Sequence, residues 1–185
     1  MIIGNFINEI EFKYKNHYFS GICFDSSKCK KDNIFFAIKG NKTDGNKFIN
    51  QAIQNGAKII ISNQKFEGIK KNTLYIRSYN VRKSLSEFAY TIHKSKPKNI
   101  IAVTGTNGKS SVADFYFQIL RLNKKKVASI GTLGIKTQNY IQKVSNTTID
   151  PITLSTILNK LKKEGIDDVI LEASSHGLKQ NRLDG

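Results

Sequence analysis

The chain has 185 residues, 39% of them hydrophobic and 24% charged, with 30 Lys and Arg against 14 Asp and Glu for a formal net charge of +16. That apolar share supports packed cores and excludes a wholly disordered chain, and no apolar run approaches the about 18–20 residues that span a bilayer. The length allows one or two domains.

The start, Met1 to Glu9, has no basic n-region and no cleavage pattern, so no signal peptide is expected. Two cysteines, Cys23 and Cys29, supply neither a disulfide framework nor a four-ligand zinc site, and the default compartment is the cytoplasm. The positive charge raises the question of nucleic acid. The cations, however, are 26 Lys and only 4 Arg (Arg77, Arg82, Arg121, Arg182). Nucleic-acid readers favour Arg for its planar, bidentate fork. The densest run, Lys124-Lys125-Lys126, falls between a helix-like and a strand-like stretch and reads as a solvated turn. No nucleic-acid partner is expected, and a positive field favours the approach of an anionic ligand.

Taken in order, the first twenty residues mix polar and aromatic side chains, and the alternation Phe12-Lys13-Tyr14-Lys15 predicts short strands. Ile34-Phe35-Phe36-Ala37-Ile38 predicts a buried strand over 33–39. Phe48, Ile49, Ala52 and Ile53 share one face of a helix over 46–55, stopped by Gly56. Residues 57–62 predict a second buried strand and 74–77 a short one. Over 81–93, Val81, Leu85, Phe88, Ala89 and Ile92 line one side of a helix. Pro97 ends it, and Ser95-Lys96-Pro97-Lys98 reads as a linker, which places a domain boundary between 96 and 97.

A second unit begins at once with a buried strand over 99–104 (Ile100-Ile101-Ala102-Val103), a glycine-rich turn, and a helix over 109–122 with Val112, Phe115, Ile119 and Leu122 facing inward. A strand over 126–131, hairpin-type chain over 134–144, a helix from Pro151 to Gly165 with Asp150 as N-cap, and a strand over 167–173 complete it. Strands alternating with helices imply parallel βαβ units. Three strands and two helices make about half of a doubly wound sheet, so the chain reads as a fragment whose second domain is cut short.

The sharpest motif is Thr104-Gly105-Thr106-Asn107-Gly108-Lys109-Ser110-Ser111, which follows a strand and opens a helix. Gly105 and Gly108 allow a tight turn that presents backbone N–H groups to phosphate oxygens, and the helix N-terminus adds partial positive charge. Lys109 reaches the terminal phosphates, and the Ser110 hydroxyl is placed to ligate Mg²⁺. Val103 stands where the usual phosphate loop has its first Gly, so this is a shortened variant, Gly-x-x-Gly-Lys-Ser. The bland alternative is an ordinary glycine turn. The last strand ends in Leu171-Glu172-Ala173-Ser174-Ser175-His176-Gly177. Ligands of open α/β sheets bind at the carboxyl ends of strands, so Glu172 faces the same edge as the loop. Taken alone, Glu172 also fits a solvated strand end and His176 an ordinary loop histidine.

Together, Thr104 to Ser111, Asn146-Thr147-Thr148, Asp150-Pro151 and Leu171 to Gly177 resemble the Mur ligases of peptidoglycan synthesis. The earlier residues Asp25-Ser26, Ile34-Phe35, Ala37, Gly40, Asp44-Gly45, Phe48, Ala52 and Gly56-Ala57 agree. Thr-Gly-Thr-Asn-Gly-Lys and Glu-x-Ser-Ser-His-Gly-Leu are most similar to the branch that adds the third amino acid of the peptide stem. The resemblance implies a small N-terminal α/β domain over 1–96 that binds a UDP-sugar. It implies that 97–185 is the first half of a P-loop-type parallel-sheet ATP-binding domain. A carbamylated lysine and a C-terminal amino-acid-binding domain are then expected beyond Gly185.

By position, the resemblance places Phe24, Ser26, Asn41, Lys42 and Thr43 at the UDP-sugar. It places Asn146, Thr147, Thr148, Ser174, Gln180 and Arg182 at the muramoyl-peptide. Gly105, Thr106, Asn107, Gly108, Lys109, Ser110 and Ser111 fall at ATP. Lys109, Glu172 and His176 take catalytic positions, with Ser110, Glu172 and His176 as Mg²⁺ ligands. The implied enzyme is a cytoplasmic, monomeric amide ligase of cell-wall synthesis, acting in cell shape and division. Its substrates are ATP, UDP-N-acetylmuramoyl-L-alanyl-D-glutamate and a diamino acid, meso-diaminopimelate or L-lysine, and the fragment by itself is expected to be inactive. Departures are Ser27 where the family usually has Arg, Asp32-Asn33 for Gly-Asp, and Ser110-Ser111 for Thr-Thr, which keeps the hydroxyl. Rival readings are a D-Ala-D-Ala-adding or folylpolyglutamate-type ligase, and a non-catalytic nucleotide-binding module.

Overall fold

The computed structural model describes residues 1–7, 11–40, 43–93, 95–144 and 147–185. The chain divides into two compact units, Met1–Phe88 and Ala89–Gly185, and each is described by itself.

The first unit holds a sheet of β1 (Gly21–Cys23), β2 (Asn33–Phe36), β3 (Ala57–Ser62), β4 (Gly68–Lys70) and β5 (Thr73–Arg77) in the order β1-β2-β3-β5-β4. All neighbours pair in parallel except β4, which runs antiparallel on the edge. The unbroken apolar runs of β2 and β3 follow from burial on both faces. On one face Phe35, Ala37 and Ile60 pack with Ile49 and Ala52 of α1 (Ile49–Gln54). On the other, Phe36 meets Phe88 of α2 (Val81–Ile92) edge-on at 5.3 Å, and Phe88 stacks on Phe6 at 5.2 Å. The helix expected over 46–55 begins as a 3₁₀ turn, Gly45–Phe48, capped by the Asp44 carboxylate on the Asn46 amide. Cys23 and Cys29 are joined in a disulfide, Cα to Cα 5.7 Å, across the turn that carries Phe24 to Lys28.

The strands expected at the start are instead 3₁₀ turns, Ile3–Asn5 and Phe12–Tyr14. The aromatic–basic alternation there does not mark a buried face. Phe12 is 86% exposed, while Tyr14 sets its ring edge-on to His17.

The second unit holds β6 (Asn99–Val103), β7 (Val127–Gly131), β8 (Gly134–Lys136), β9 (Ile141–Gln142) and β10 (Asp168–Glu172) in the order β6-β10-β7-β8-β9. β6, β10 and β7 are parallel, and β8 and β9 add antiparallel. α4 (Pro151–Lys163) starts as its sequence predicts, with Pro151 in the first turn and the Asp150 carboxylate accepting from the Thr153 amide at 3.0 Å. Its Leu154, Leu158 and Leu161 close one face of the sheet over Ala128, Ile130, Val169 and Leu171.

α3 (Lys109–Leu122) covers the other face but presents a different row from the one expected. Ala113 and Phe117 are buried, whereas Val112, Phe115, Ile119 and Leu122 are 50%, 62%, 57% and 82% exposed. The helix carries two apolar rows, and the pair four residues apart is the one that meets β7 and β10. Lys136 of β8 fixes this packing, donating to Asp114 at 2.6 Å with its ammonium 4.7 Å from the centre of the Phe117 ring. β6 also differs from the buried strand expected, because it is the edge of this sheet, with Ile100 and Ile101 37% and 39% exposed.

Candidate functional site

Strand register gathers the site in the second unit. Glu172 pairs with Val103 and Leu171 with Ile130, so β6, β10 and β7 end together. From that edge leave the glycine loop, the turn at Thr132 and the segment from Ala173 onward.

The loop Thr104 to Gly108 is exposed. Gly108 caps α3 with φ 80°, and Gly105 has φ 145°, both in the region that favours glycine. Lys109 folds back over the loop, its Nζ donating to the carbonyls of Gly105 at 2.7 Å and Thr106 at 3.2 Å. The first-turn amides of α3, including Ser110 and Ser111, have no carbonyl partner within the helix and point with its positive end. Thr106 and Asn107 on the loop and Ser111 in the first turn of α3 are exposed.

Behind the loop, Glu172 is only 3% exposed. A buried carboxylate needs donors, and three are present. Ser110 Oγ donates to Oε2 at 3.0 Å, the Thr132 amide to Oε1 at 2.9 Å, and Thr132 Oγ1 to Oε2 at 3.0 Å. Gly131 makes room for the carboxylate, since a Cβ built there lies 2.2 Å from Oε1. Carboxylate and hydroxyl oxygens are the hard donors that suit a small divalent cation. His176, on the short helix α5 (Ser175–Lys179), is exposed, and its Nε2 lies 2.6 Å from Gln180 Nε2. The structure thus brings Ser110 to Glu172, while the hydrogen bond of His176 goes elsewhere. Among the described residues no group of three or more His, Cys, Asp or Glu is placed to hold a metal.

Beside the carboxylate, the residues expected at the muramoyl-peptide form one network. Thr148 is 3% exposed, and its Oγ1 lies 3.2 Å from the Glu172 carbonyl and 3.0 Å from Ser174 Oγ, while accepting from the Ser174 amide at 2.9 Å. Arg182 donates to the Thr148 carbonyl and, through Nε and Nη2, to Gln180 Oε1 at 3.0 and 2.7 Å. Thr147 Oγ1 lies 3.0 Å from Thr132 Oγ1. Asn146 lies outside the described residues.

In the first unit, Phe24 and Ser26 follow β1, and Thr43 lies in the loop after β2, so both segments leave the carboxyl edge of adjacent parallel strands. Phe24 is 41% exposed. Ser26 is buried and committed to the fold, donating to Gln51 Oε1 at 2.7 Å while its carbonyl accepts from Asn55 at 2.8 Å. Thr43 is exposed, and its carbonyl accepts from the Gly40 amide at 2.9 Å. Asn41 and Lys42 lie outside the described residues. Ser27 donates its hydroxyl and amide to Asp25, and the hydroxyl contact holds that carboxyl below its usual range.

Sequence reasoning missed Gly131 and Thr132. The signal was available, because Gly-Thr directly follows a strand parallel to the loop strand. A strand running into a glycine loop and a helix N-terminus, with a buried carboxylate on the next strand end, defines a P-loop-type α/β fold. Two models of one family match the chain: the Mur ligase family, catalytic domain, over residues 18–94, and the Mur ligase middle domain over 103–185. The chain belongs to the Mur ligase family.

Among its relatives, the UDP-N-acetylmuramoyl-L-alanyl-D-glutamate–2,6-diaminopimelate ligase of Rickettsia prowazekii (strain Madrid E) is 42% identical over 174 residues, 92% of this chain and 36% of that protein. The protein of the same name from Bradyrhizobium diazoefficiens is 40% identical over 166 residues, 90% of this chain and 34% of its own length. A solved structure of a ligase of that name superposes with a TM-score of 0.82 at 29% identity, covering 100% of this chain and 38% of the other. A Thermotoga maritima MurF ligase in complex with ADP shares the fold at TM-score 0.55 and 22% identity, covering 83% of this chain and 32% of its own. The chain therefore spans about a third of the length of the curated relatives it matches. Among the described residues no helix is long and apolar enough to cross a membrane.

Proposed function

We propose that residues 97–185 bind ATP for the activation of an acid, and that residues 1–96 hold the UDP-sugar carrying it. Both would serve the ligase that adds a diamino acid to UDP-N-acetylmuramoyl-L-alanyl-D-glutamate. The observation that carries this reading is the pairing of Ser110 with the buried Glu172 behind an exposed glycine loop. A carboxylate resists attack by an amine because of its own charge and its poor leaving group. Transfer of the γ-phosphoryl group of ATP to the D-Glu carboxylate breaks the bond to the β-phosphate and gives an acyl phosphate and ADP, after which an amine attacks the acyl carbon, loses a proton and displaces phosphate to form the amide. Lys109 and the amides of 105–111 orient the triphosphate and offset the charge that spreads over the transferring group. Ser110 and Glu172 are the residues that would hold Mg²⁺, which would offset negative charge on the triphosphate. The network of Thr148, Ser174, Gln180 and Arg182 offers hydroxyl, amide and guanidinium groups to the muramoyl-peptide.

Two relatives with diaminopimelate in their names favour meso-diaminopimelate over L-lysine as the third amino acid. We place the enzyme in the cytoplasm as a monomer. The test fuses residues 1–185 to the remainder of the Rickettsia prowazekii relative. Phosphate release that requires ATP, the UDP-linked dipeptide and diaminopimelate together supports the reading. Release driven by D-Ala-D-Ala with the tripeptide precursor, or by glutamate with a folate, overturns it.

A further inference from the structure

Thr132 stands at the first position after β7, with its side chain between two groups that the proposed reaction keeps apart. On one side is the Glu172 carboxylate, which takes both its amide and its hydroxyl. On the other is Thr147, within the segment assigned to the muramoyl-peptide, 3.0 Å away hydroxyl to hydroxyl.

Counting protons fixes the direction of this chain. An ionised carboxylate only accepts, and a threonine hydroxyl has one proton to give. Thr132 gives its proton to Glu172 Oε2, so toward Thr147 it accepts. The sequence of donation runs Thr147 to Thr132 to Glu172. Ser110 donates to the same oxygen, Oε2, from the opposite element, the first turn of α3. Ser110 and Glu172 are the residues that would hold a cation there, and the Ser110 hydroxyl, giving it a lone pair, would no longer donate to Oε2. The two Thr132 contacts are the ones that keep the carboxylate aimed at the loop. A buried carboxylate deprived of a donor loses orientation as well as solvation.

We propose that Thr132 is a positioning residue: it holds Glu172 toward the cation site beside Ser110 and links that site, through Thr147, to the segment that receives the acceptor acid. This rests on the function proposed above for the loop. It goes beyond it by making cation affinity depend on a hydroxyl that touches neither nucleotide nor metal, and on one further removed.

The experiment uses the 185-residue chain and two probes, Mn²⁺ alone, followed by paramagnetic resonance, and ATP with and without Mg²⁺, followed by calorimetry. Thr132→Val keeps the shape and removes the hydroxyl. It is expected to weaken Mn²⁺ binding about tenfold, the loss of one hydrogen bond to a charged group. Metal-free ATP binding is expected to stay within about twofold of wild type, since no phosphate contact is touched, and Thr132→Ser is expected to restore most of the Mn²⁺ affinity. Thr147→Val leaves every Glu172 contact in place and is expected to weaken Mn²⁺ about threefold in the wild-type background and not at all beside Thr132→Val.

A purely structural role for Thr132 lowers ATP binding with and without metal alike, and that pattern overturns the proposal. Absence of Mn²⁺ binding by the wild-type chain, or equal Mn²⁺ affinity in wild type and Thr132→Val, also overturns it. Where Thr132→Val does not fold, Thr147→Val decides: Mn²⁺ affinity equal to wild type overturns the proposal, and a threefold loss supports it. Failure of the wild-type chain to bind ATP rejects the phosphate-loop reading instead, and leaves the Mn²⁺ comparison to judge Thr132.

Discussion

Lys109→Ala in the fused ligase described above lowers the rate of acceptor-dependent phosphate release by about 10²–10³-fold, the range typical for loss of one preorganised charge-stabilising group. The ammonium lies over the loop, within 2.7 Å of the Gly105 carbonyl and 3.2 Å of Thr106, poised where a triphosphate tail would take over those contacts. It is the one cation within the glycine loop itself. Arginine in its place keeps the charge but brings a planar fork where a compact ammonium sits, so Lys109→Arg recovers only part of the loss. Because the hydrogen bonds of the Lys109 ammonium go to carbonyls of the exposed loop, the variant is expected to melt close to the wild-type temperature. A rate within a few-fold of wild type contradicts the placement of ATP in this loop. A rate loss that follows a fall in melting temperature contradicts the mechanism offered for it.

Gly131→Ala costs about 1–3 kcal/mol of stability, the usual range for overfilling a packed site. In a unit of this size that lowers melting by at least about 4 °C. Backbone freedom is not the cause, because Gly131 is not among the glycines with positive φ. The cause is the carboxylate: the new methyl would stand 2.2 Å from Glu172 Oε1 and 2.5 Å from Cδ and Cγ. Glu172, only 3% exposed, cannot yield without giving up its hydrogen bonds from Ser110 and Thr132. Calorimetric melting of Gly131→Ala, Glu172→Ala and the double variant checks this. Removing the carboxylate makes room for the methyl, so the double variant is more stable than the sum of the single losses predicts. Additive losses mean that the methyl meets something other than Glu172.

Much of this architecture was legible because it depends on local rules. The apolar runs at Ile34 to Ile38, Ile59 to Ile61 and Val169 to Leu171 are short and rich in β-branched or aromatic residues, and each lies beside a helix with its own period. Asp150-Pro151 carries its helix start in its own covalent chemistry, and the glycine loop carries its need for positive φ. What was not legible depends on partners distant in sequence. The row Val112, Phe115, Ile119 and Leu122 is as regular as any core-facing row. Only the position of β7 and β10 decides that Ala113 and Phe117 face inward instead. The apolar content of β6 was plain, but its place at the sheet edge is a matter of strand order. In the site, Glu172 and Ser110 were readable because both sit beside recognisable motifs. Thr132 carries no motif, and its role appears only when register sets the ends of β7 and β10 side by side. The family resemblance sets His176 beside the carboxylate as a cation ligand, and its ring meets Gln180 at 2.6 Å.

The proposed function requires the backbone between Val103 and Val112 to receive the triphosphate of ATP with a cation shared by Ser110 and Glu172. A titration of the ¹⁵N-labelled chain with ATP, followed amide by amide with and without Mg²⁺, tests it most directly. The amides of residues 105–111 and of Thr132 are expected to move first and furthest, and Mg²⁺ is expected to tighten the binding in wild type but not in Glu172→Gln. Saturable binding that leaves those amides unmoved, or a Mg²⁺ effect undiminished by Glu172→Gln, contradicts it.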